Sequence, residues 1–421
     1  MTKKILFISS YAPPTISGGP KIIYTMLRDL PPDSYSILTS FFAIDNISAD
    51  LGDWLPGKYI FYDNPKFDRL SIDPKKIKKS FIVARSFLAK LKYLAKRVKI
   101  IRSIIGIPIV FKQIFSIVRL GKKSVLEGNV DMLFGFSDYG PAMIGTYLIH
   151  TATKKPYSIY MLDLYRDNNF PFPGNLMANI FEPKIFRGAK NIIVTNHGTL
   201  NYYKKRYDKN IIDKMVVIHH SINENLYPHS QDLYNPKSPY TILFTGGIYW
   251  PQIGSLKNLI EAVNHINDLD VRLKIYSPNP KDYLNKIGIK ESSKVSIDVA
   301  SPQNVPNIQS SADILYLPLS WNTESQAIID TATPGKIVDY LISGKPILIH
   351  APASTYLVKY AKEYDFGAVV EEENIEMLQK SIKRILTDKK YAQYLIKNAR
   401  ETFYKNHNIK DNIKVFYSLI S

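Results

Sequence analysis

The stretch Lys4–Pro20, KILFISSYAPPTISGGP, opens with a short apolar run (Lys4–Ser9) of the kind a buried parallel strand needs. A Pro/Gly-rich turn, Tyr11–Pro20, follows it, and a helical pattern runs from Ile22 to Leu30. The theme recurs at Thr241–Gly247, TILFTGG, followed by a loop and the helical run Leu256–Ile266. Two strand–glycine–helix openings predict two Rossmann-like α/β units in tandem. Between them Tyr234–Pro239, YNPKSP, reads as a linker.

Working outward, further strands are expected at Tyr35–Leu38, Met132–Phe136, Tyr157–Met161, Asn191–Thr195 and Met215–Ile218. In the second half they are expected at Val271–Tyr276, Lys294–Ile297, Ile314–Leu317, Pro346–His350 and Gly367–Val370. Helical patterns separate them, notably Lys336–Ser343, Ile375–Leu386 and Lys390–Tyr404. Such alternation predicts parallel sheets covered on both faces, with ligands bound beyond the carboxyl ends of the strands. The 421 residues, 45% hydrophobic and 22% charged, are enough for two or three folded domains. The absence of cysteine excludes disulfides, thiolate metal sites and a cysteine nucleophile. Met1–Ser10 lacks a signal-peptide cleavage pattern, so the expected location is the cytoplasm.

The formal net charge of +18 raises nucleic acid or an anionic membrane as partners. Nearly all of it sits in one segment, residues 74–126, which holds eleven lysines and four arginines and no acid. There Ile77, Phe81, Ala84, Leu88, Leu91, Ala95 and Val98 recur at three- and four-residue steps, with Lys78, Lys79, Arg85, Lys92, Lys96 and Lys99 between them. This is a basic amphipathic helix. Gly106–Pro108 is expected to break it, and Ile109–Leu120 to begin a second helix. Arg102, Pro108 and Lys112 interrupt the apolar run too often for a transmembrane span. The pattern predicts peripheral contact with an anionic membrane, the competing reading being a stripe packed on its own domain. Nucleic acid is not expected, because the aromatics follow helix spacing and form no stacking platform.

Three places could carry chemistry. Gly18 and Gly19 after the first strand would let backbone approach an anion or a sugar, or simply make a tight turn. The pattern is not GxGxxG, which disfavours a dinucleotide. In Thr331–His350, TATPGKIVDYLISGKPILIH, residues Thr333, Pro334, Gly335 and Lys336 offer a hydroxyl, backbone N–H groups and an ammonium at a helix start, suited to a diphosphate. Asp339 shares that helix face and could accept from ribose hydroxyls, although Lys336 and Asp339 could equally be a surface pair. No metal-ligand spacing occurs among the eight histidines, so no metal is expected, and His219 and His220 read as structural.

Pro334–Tyr340 and Ser343–Leu348 together resemble the donor-binding region of family 4 glycosyltransferases, retaining enzymes of GT-B architecture. Tyr11–Gly19 resembles their Pro-Pro…Gly-Gly loop, Ala189–Thr195 the strand closing their first domain, Val216–Tyr227 their inter-domain stretch and Ala312–Pro318 the strand before the donor loop. The resemblance covers nearly the whole chain. It implies two Rossmann-like domains facing each other across a cleft: an acceptor domain (1–233) holding the basic insertion, a linker (234–240), a donor domain (241–407), and a C-terminal helix (408–421) returning to the first. It implies a nucleoside-diphosphate sugar as substrate, bound by Gly18, Gly19, Gly246, Gly247, Thr333–Lys336 and Asp339, and no cofactor. Tyr160–Asp167, YMLDLYRD, is similar to an Asp-Leu-Trp segment of bacterial members, which makes Asp163 an acid/base or orienting group with Arg166 and Asp167 beside it. Asp163 could instead cap the following segment; Glu182 and Arg187 are weaker candidates nearby.

The sequence also departs from that family. Where most members have two glutamates separated by seven residues, this chain has Thr331 and Asp339. The Arg and Lys of the usual donor clamp are missing from Gly246–Ser255, and resemblance to a subgroup with a Ser-Pro-x-Lys loop implies that Lys336 replaces them. The expected function is transfer of a sugar to a lipid-linked or cell-envelope glycan, as in bacterial polysaccharide biosynthesis, at the inner face of the cell membrane. The alternatives are an inactive GT-B scaffold that binds glycan or nucleotide, and a sugar-nucleotide epimerase of the same architecture.

Overall fold

The computed structural model describes residues 3–15, 18–41, 54–64, 99–227 and 234–421, residues 99–106 as backbone only. Lys78, Lys79, Arg85, Lys92 and Lys96 therefore lie outside the described residues, and Lys99 is described only as the first residue of a helix. The chain forms two compact units, Met1–Ile218 with Ile413–Ser421, and His219–Asn412. The first boundary falls ahead of Tyr234–Pro239.

The first unit is built on a seven-stranded sheet of β1 (Ile5–Ile8), β2 (Tyr35–Thr39), β3 (Lys58–Phe61), β4 (Met132–Phe136), β5 (Tyr157–Met161), β6 (Ile192–Val194) and β7 (Met215–Val217), in the order 3-2-1-4-5-6-7. Every pairing is parallel, with Phe7 opposite Ile37 on one side and Phe134 on the other. β1, β4 and β5 are buried along their whole length, which is why they read as unbroken apolar runs. β3 was not expected: its KYIF alternates exposed and buried residues at the sheet edge and carries a weaker signal. The C-terminal helix Ile409–Ile420 sends Phe416 and Ile420 into this unit's core, Phe416 meeting Phe134 edge-on at 5.4 Å.

The second unit has β8 (Tyr240–Thr245), β9 (Val271–Tyr276), β10 (Val295–Asp298), β11 (Ile314–Pro318), β12 (Ile347–His350) and β13 (Gly367–Val370), all parallel, in the order 10-9-8-11-12-13. Its two faces bury separate clusters. Ile242, Phe244, Ile314 and Tyr316 belong to one, Leu243, Leu315 and Leu317 to the other, as alternation along a strand requires. Both sheets follow the doubly wound order, and in each the order reverses beside the first strand, β1 or β8. The loops after those strands are where a ligand finds a crevice.

The expected break at Gly106–Pro108 is corrected. One helix, Lys99–Gly128, runs through Pro108, which is exposed, so the carbonyl it leaves without an intrahelical donor can bond to water. Downstream, Ile114, Ile117 and Val125 are buried and hold the helix in place. It packs on the helix Pro141–Thr153 through two reciprocal glycines. A Cβ on Gly145 would strike Ile117, and one on Gly121 would strike Ile149. Gly145→Val should therefore overpack this contact and cost about 1–3 kcal/mol, read as a lower midpoint in urea unfolding.

Candidate functional site

In the second unit the site begins where β8 ends. Gly246 has φ +112°, a conformation that L side chains avoid, and its missing side chain leaves room for an amine: a Cβ there would lie 3.4 Å from Lys336 Nζ. Lys336 reaches in from the residue just before the helix Ile337–Ile342. Its stem is partly exposed, but Nζ is sealed from solvent and has no hydrogen-bond partner. The amine sits 3.6 Å from the centroid of the Phe244 ring, whose π-face compensates a cation in part. Burial pulls its pKa down to about 7, partly offset by the nearby Asp339 carboxylate. A desolvated amine that reaches no hydrogen-bond acceptor is poorly compensated, and it suits a ligand that brings negative charge.

Asp339 is fixed by the second unit's own chain. The Tyr227 hydroxyl donates to Asp339 Oδ1 at 2.9 Å and lies 2.5 Å from Gln309 Oε1, while Gln309 Nε2 donates to Thr245 Oγ1 at 2.9 Å. Burial and the Asp339 charge both hold the Tyr227 phenol well above its ordinary range, so it remains a donor. Gly247 lies next to Ile248, whose N–H donates to Asn279 Oδ1 at 2.7 Å, which fixes the loop. The structure thus brings Gly246, Gly247, Lys336 and Asp339 to one edge of the sheet, with Thr333, Pro334 and Gly335 on the segment leading to Lys336. That helix is one and a half turns long, so its dipole supplies little, and the positive charge is the side chain's own. Thr331 ends the helix Gln326–Thr331, buried, its hydroxyl donating to Ala327 O at 2.8 Å. Phe244, Tyr227 and Gln309 had no signal in the sequence, since an apolar strand residue and a distant tyrosine look like ordinary core.

In the first unit, Gly18 has open space around it, and a Cβ on Gly19 would come 3.1 Å from Leu162 Cδ1. The glycine thereby lets the start of helix Gly18–Leu27 approach the segment after β5, where Asp163 stands. Asp163 is exposed to solvent and accepts no hydrogen bond from the described residues, so it does not act as a cap. Desolvation by neighbouring protein raises its carboxyl pKa, the direction that favours proton transfer nearer neutrality. Arg166 does not pair with it: its Nε donates to Asn179 Oδ1 at 2.5 Å. Asp167 pairs with Arg206 and accepts from Tyr202. Glu182 is fully buried, accepts from Tyr207 and the Arg166 backbone, and serves the core. His219 stacks on Tyr360 at 5.9 Å, and the His220 carbonyl accepts from His407 Nδ1 at 2.7 Å, both structural placements. Among the described residues no group of three or more His, Asp or Glu is placed to hold a metal ion.

Two doubly wound parallel sheets in tandem, each with its order reversing beside its first strand, are the arrangement expected of the GT-B fold. Residues 231–402, within the second unit, match the family model described as glycosyl transferases group 1, in agreement with the resemblance read from Pro334–Leu348. No curated protein matches the sequence. Among solved structures, a glycosyltransferase from Rickettsia africae ESF-5 shares 14% identity over 100% of this chain and 98% of its own, with a TM-score of 0.65. Sucrose-phosphate synthase from Thermosynechococcus elongatus shares 13% over 99% and 98%, TM-score 0.68. Anabaena HepE, solved in complex with UDP and glucose, shares 13% over 99% and 98%, TM-score 0.65. At these identities the structural likeness establishes the fold.

The unpartnered amine makes a prediction about stability. Its depressed pKa means that the unfolded chain binds the extra proton between about pH 7 and 10.5, so stability attributable to Lys336 rises with pH across that window. Lys336→Met removes the burial cost and should raise unfolding stability at pH 7 by about 1–3 kcal/mol, with a smaller gain at pH 10.

Proposed function

We propose that this protein transfers a sugar from a uridine-diphosphate sugar to a lipid-linked or cell-envelope glycan, with retention of configuration and without a metal ion. The observation that carries the reading is the buried, unpartnered Lys336 amine beside Gly246, one helical turn from Asp339. In this reading the diphosphate supplies the missing counter-charge to Lys336, and Gly246 and Gly247 let it approach the backbone. Asp339, oriented by Tyr227, takes the ribose hydroxyls. Lys336 stabilises the diphosphate as it leaves, where charge grows in an oxocarbenium-like transition state. Asp163 is the proposed acid/base or orienting group on the acceptor side, with a carboxyl pKa suited to either role. HepE, solved with UDP and glucose, supports the choice of nucleotide. The acid-free basic segment 74–126 supports work at the inner, anionic face of the cell membrane, with no role for nucleic acid. Among the described residues no helix is long and apolar enough to cross a membrane.

One observation favours the second reading, an inactive nucleotide- or glycan-binding scaffold. Thr331 occupies the position of a family glutamate, and its hydroxyl is spent on its own helix. Turnover separates the two.

UDP at about a hundred times its dissociation constant should stabilise the protein by about 2.7 kcal/mol, read as a raised melting temperature. Lys336→Met should abolish that shift although it stabilises the free protein, and Asp339→Asn should weaken UDP binding about tenfold. Transfer from a UDP-sugar into membrane extract should persist in EDTA. Binding without transfer under all donors would leave the scaffold; no nucleotide binding would reject both readings.

A further inference from the structure

Three helices of the first unit are neighbours on one face of its sheet. Lys99–Gly128, Pro141–Thr153 and Gly174–Gly188 make the successive crossovers into β4, β5 and β6, and right-handed crossovers place them side by side. The middle helix is recessed, its residues Pro141–Thr146 all buried. The outer two present matching surfaces. On Gly174–Gly188 and the residues just before it, Phe172, Leu176 and Ile180 recur every four residues, 51%, 51% and 45% exposed. The same stripe continues into Lys184 and Arg187. On Lys99–Gly128, Phe111 and Phe115, 57% and 71% exposed, continue into Arg119 and Lys122. Each helix is apolar toward its N-terminal side and cationic toward its C-terminal side.

Beside the cationic end of the third helix lies a pocket, lined from the middle helix and its C-cap by Tyr147, His150, Thr151 and Lys154 and from the third helix by Lys184 and Arg187. No carboxylate lines it. The simplest alternative is that these cations satisfy the helix C-termini. Three of the carbonyls there already have other donors: His150 O accepts from Lys154 N, Ile185 O from Ala189 N and the Tyr157 hydroxyl, and Arg187 O from Lys214 Nζ. Lys154, Lys184 and Arg187 enter no ion pair among the described residues.

We propose that this three-helix face docks on an anionic phospholipid surface, with a lipid phosphate in the Lys154–Lys184–Arg187 pocket and the phenylalanines, Leu176 and Ile180 at the acyl boundary. Charge complementarity selects the occupant: cations without acids call for an anion, and the exposed apolar side chains continuous with them call for an amphiphile. The inference rests on the reading that the protein works at a membrane. It places the contact on the surface of these three helices.

Full-length protein is sedimented with vesicles of phosphatidylcholine alone and of phosphatidylcholine with phosphatidylglycerol. Wild type should pellet with the second and stay in solution with the first. Lys184→Glu with Arg187→Glu, and separately Leu176→Ser with Ile180→Ser, should each lower the pelleted fraction at least about tenfold in partition coefficient. A charge-matched control, Lys380→Glu with Lys390→Glu on the second unit, should pellet as wild type. All these side chains are exposed, and unchanged melting temperatures verify folding. Wild-type pelleting that survives either surface variant overturns this site while keeping the membrane reading. Wild type that ignores anionic vesicles, or shifts RNA in their place, overturns both.

Discussion

The exposed edge of the second unit's sheet is organised around one buried amine. Lys336 Nζ has no hydrogen bond, a flat aromatic ring below it and a glycine beside it, and each of those conditions is set by something else. The ring is Phe244, carried into the core by the central strand β8, which is hydrogen-bonded on both sides. The glycine is Gly246, in a backbone conformation that a larger residue resists. The strand order reverses at β8, so the chain after it must leave the sheet at a place no crossover covers. Replace any one of these and the amine either finds water or collides.

This arrangement differs from a site that binds phosphate through a helix terminus. The helix after Lys336 has only six residues, and its dipole is small. Charge is supplied by a titratable side chain, and carboxylate orientation by a tyrosine more than a hundred residues away in sequence. This edge of the sheet is thus assembled from side chains held by tertiary packing rather than by a local backbone motif.

That difference also explains what the sequence could reveal. Parallel strands buried on both faces are near-continuous apolar runs, so Met132–Phe136 and Tyr157–Met161 were legible to the residue, and Val271–Tyr276 was legible by its strict alternation of buried and exposed positions. Lys336 and Asp339 were legible as a pair at helical spacing. Phe244 and Tyr227 were not, because their roles arise from contacts between segments far apart in the chain. Local rules misled at Pro108, where downstream packing of Ile114 and Ile117 outweighs one lost hydrogen bond. The edge strand β3 escaped notice because an edge needs only a half-buried pattern. The outward stripe on Gly174–Gly188 was hidden for a related reason: which face of an amphipathic helix is covered is decided by its neighbours.

The route of the chain through its two units has a consequence for biosynthesis. The second unit is complete once Asn412 has been made, and its ends are tied together, Asn412 Nδ2 donating to His219 O at 3.1 Å and to Ser221 Oγ at 2.5 Å. The first unit, begun earlier, must wait longer. Its core lacks Phe416 and Ile420 until the segment Ile413–Ser421 has emerged, and Lys3 Nζ meets the Ser421 carbonyl at 2.5 Å. On the ribosome the second unit is therefore completed before the first, and the apolar face around Phe134 stays open until Phe416 has been made.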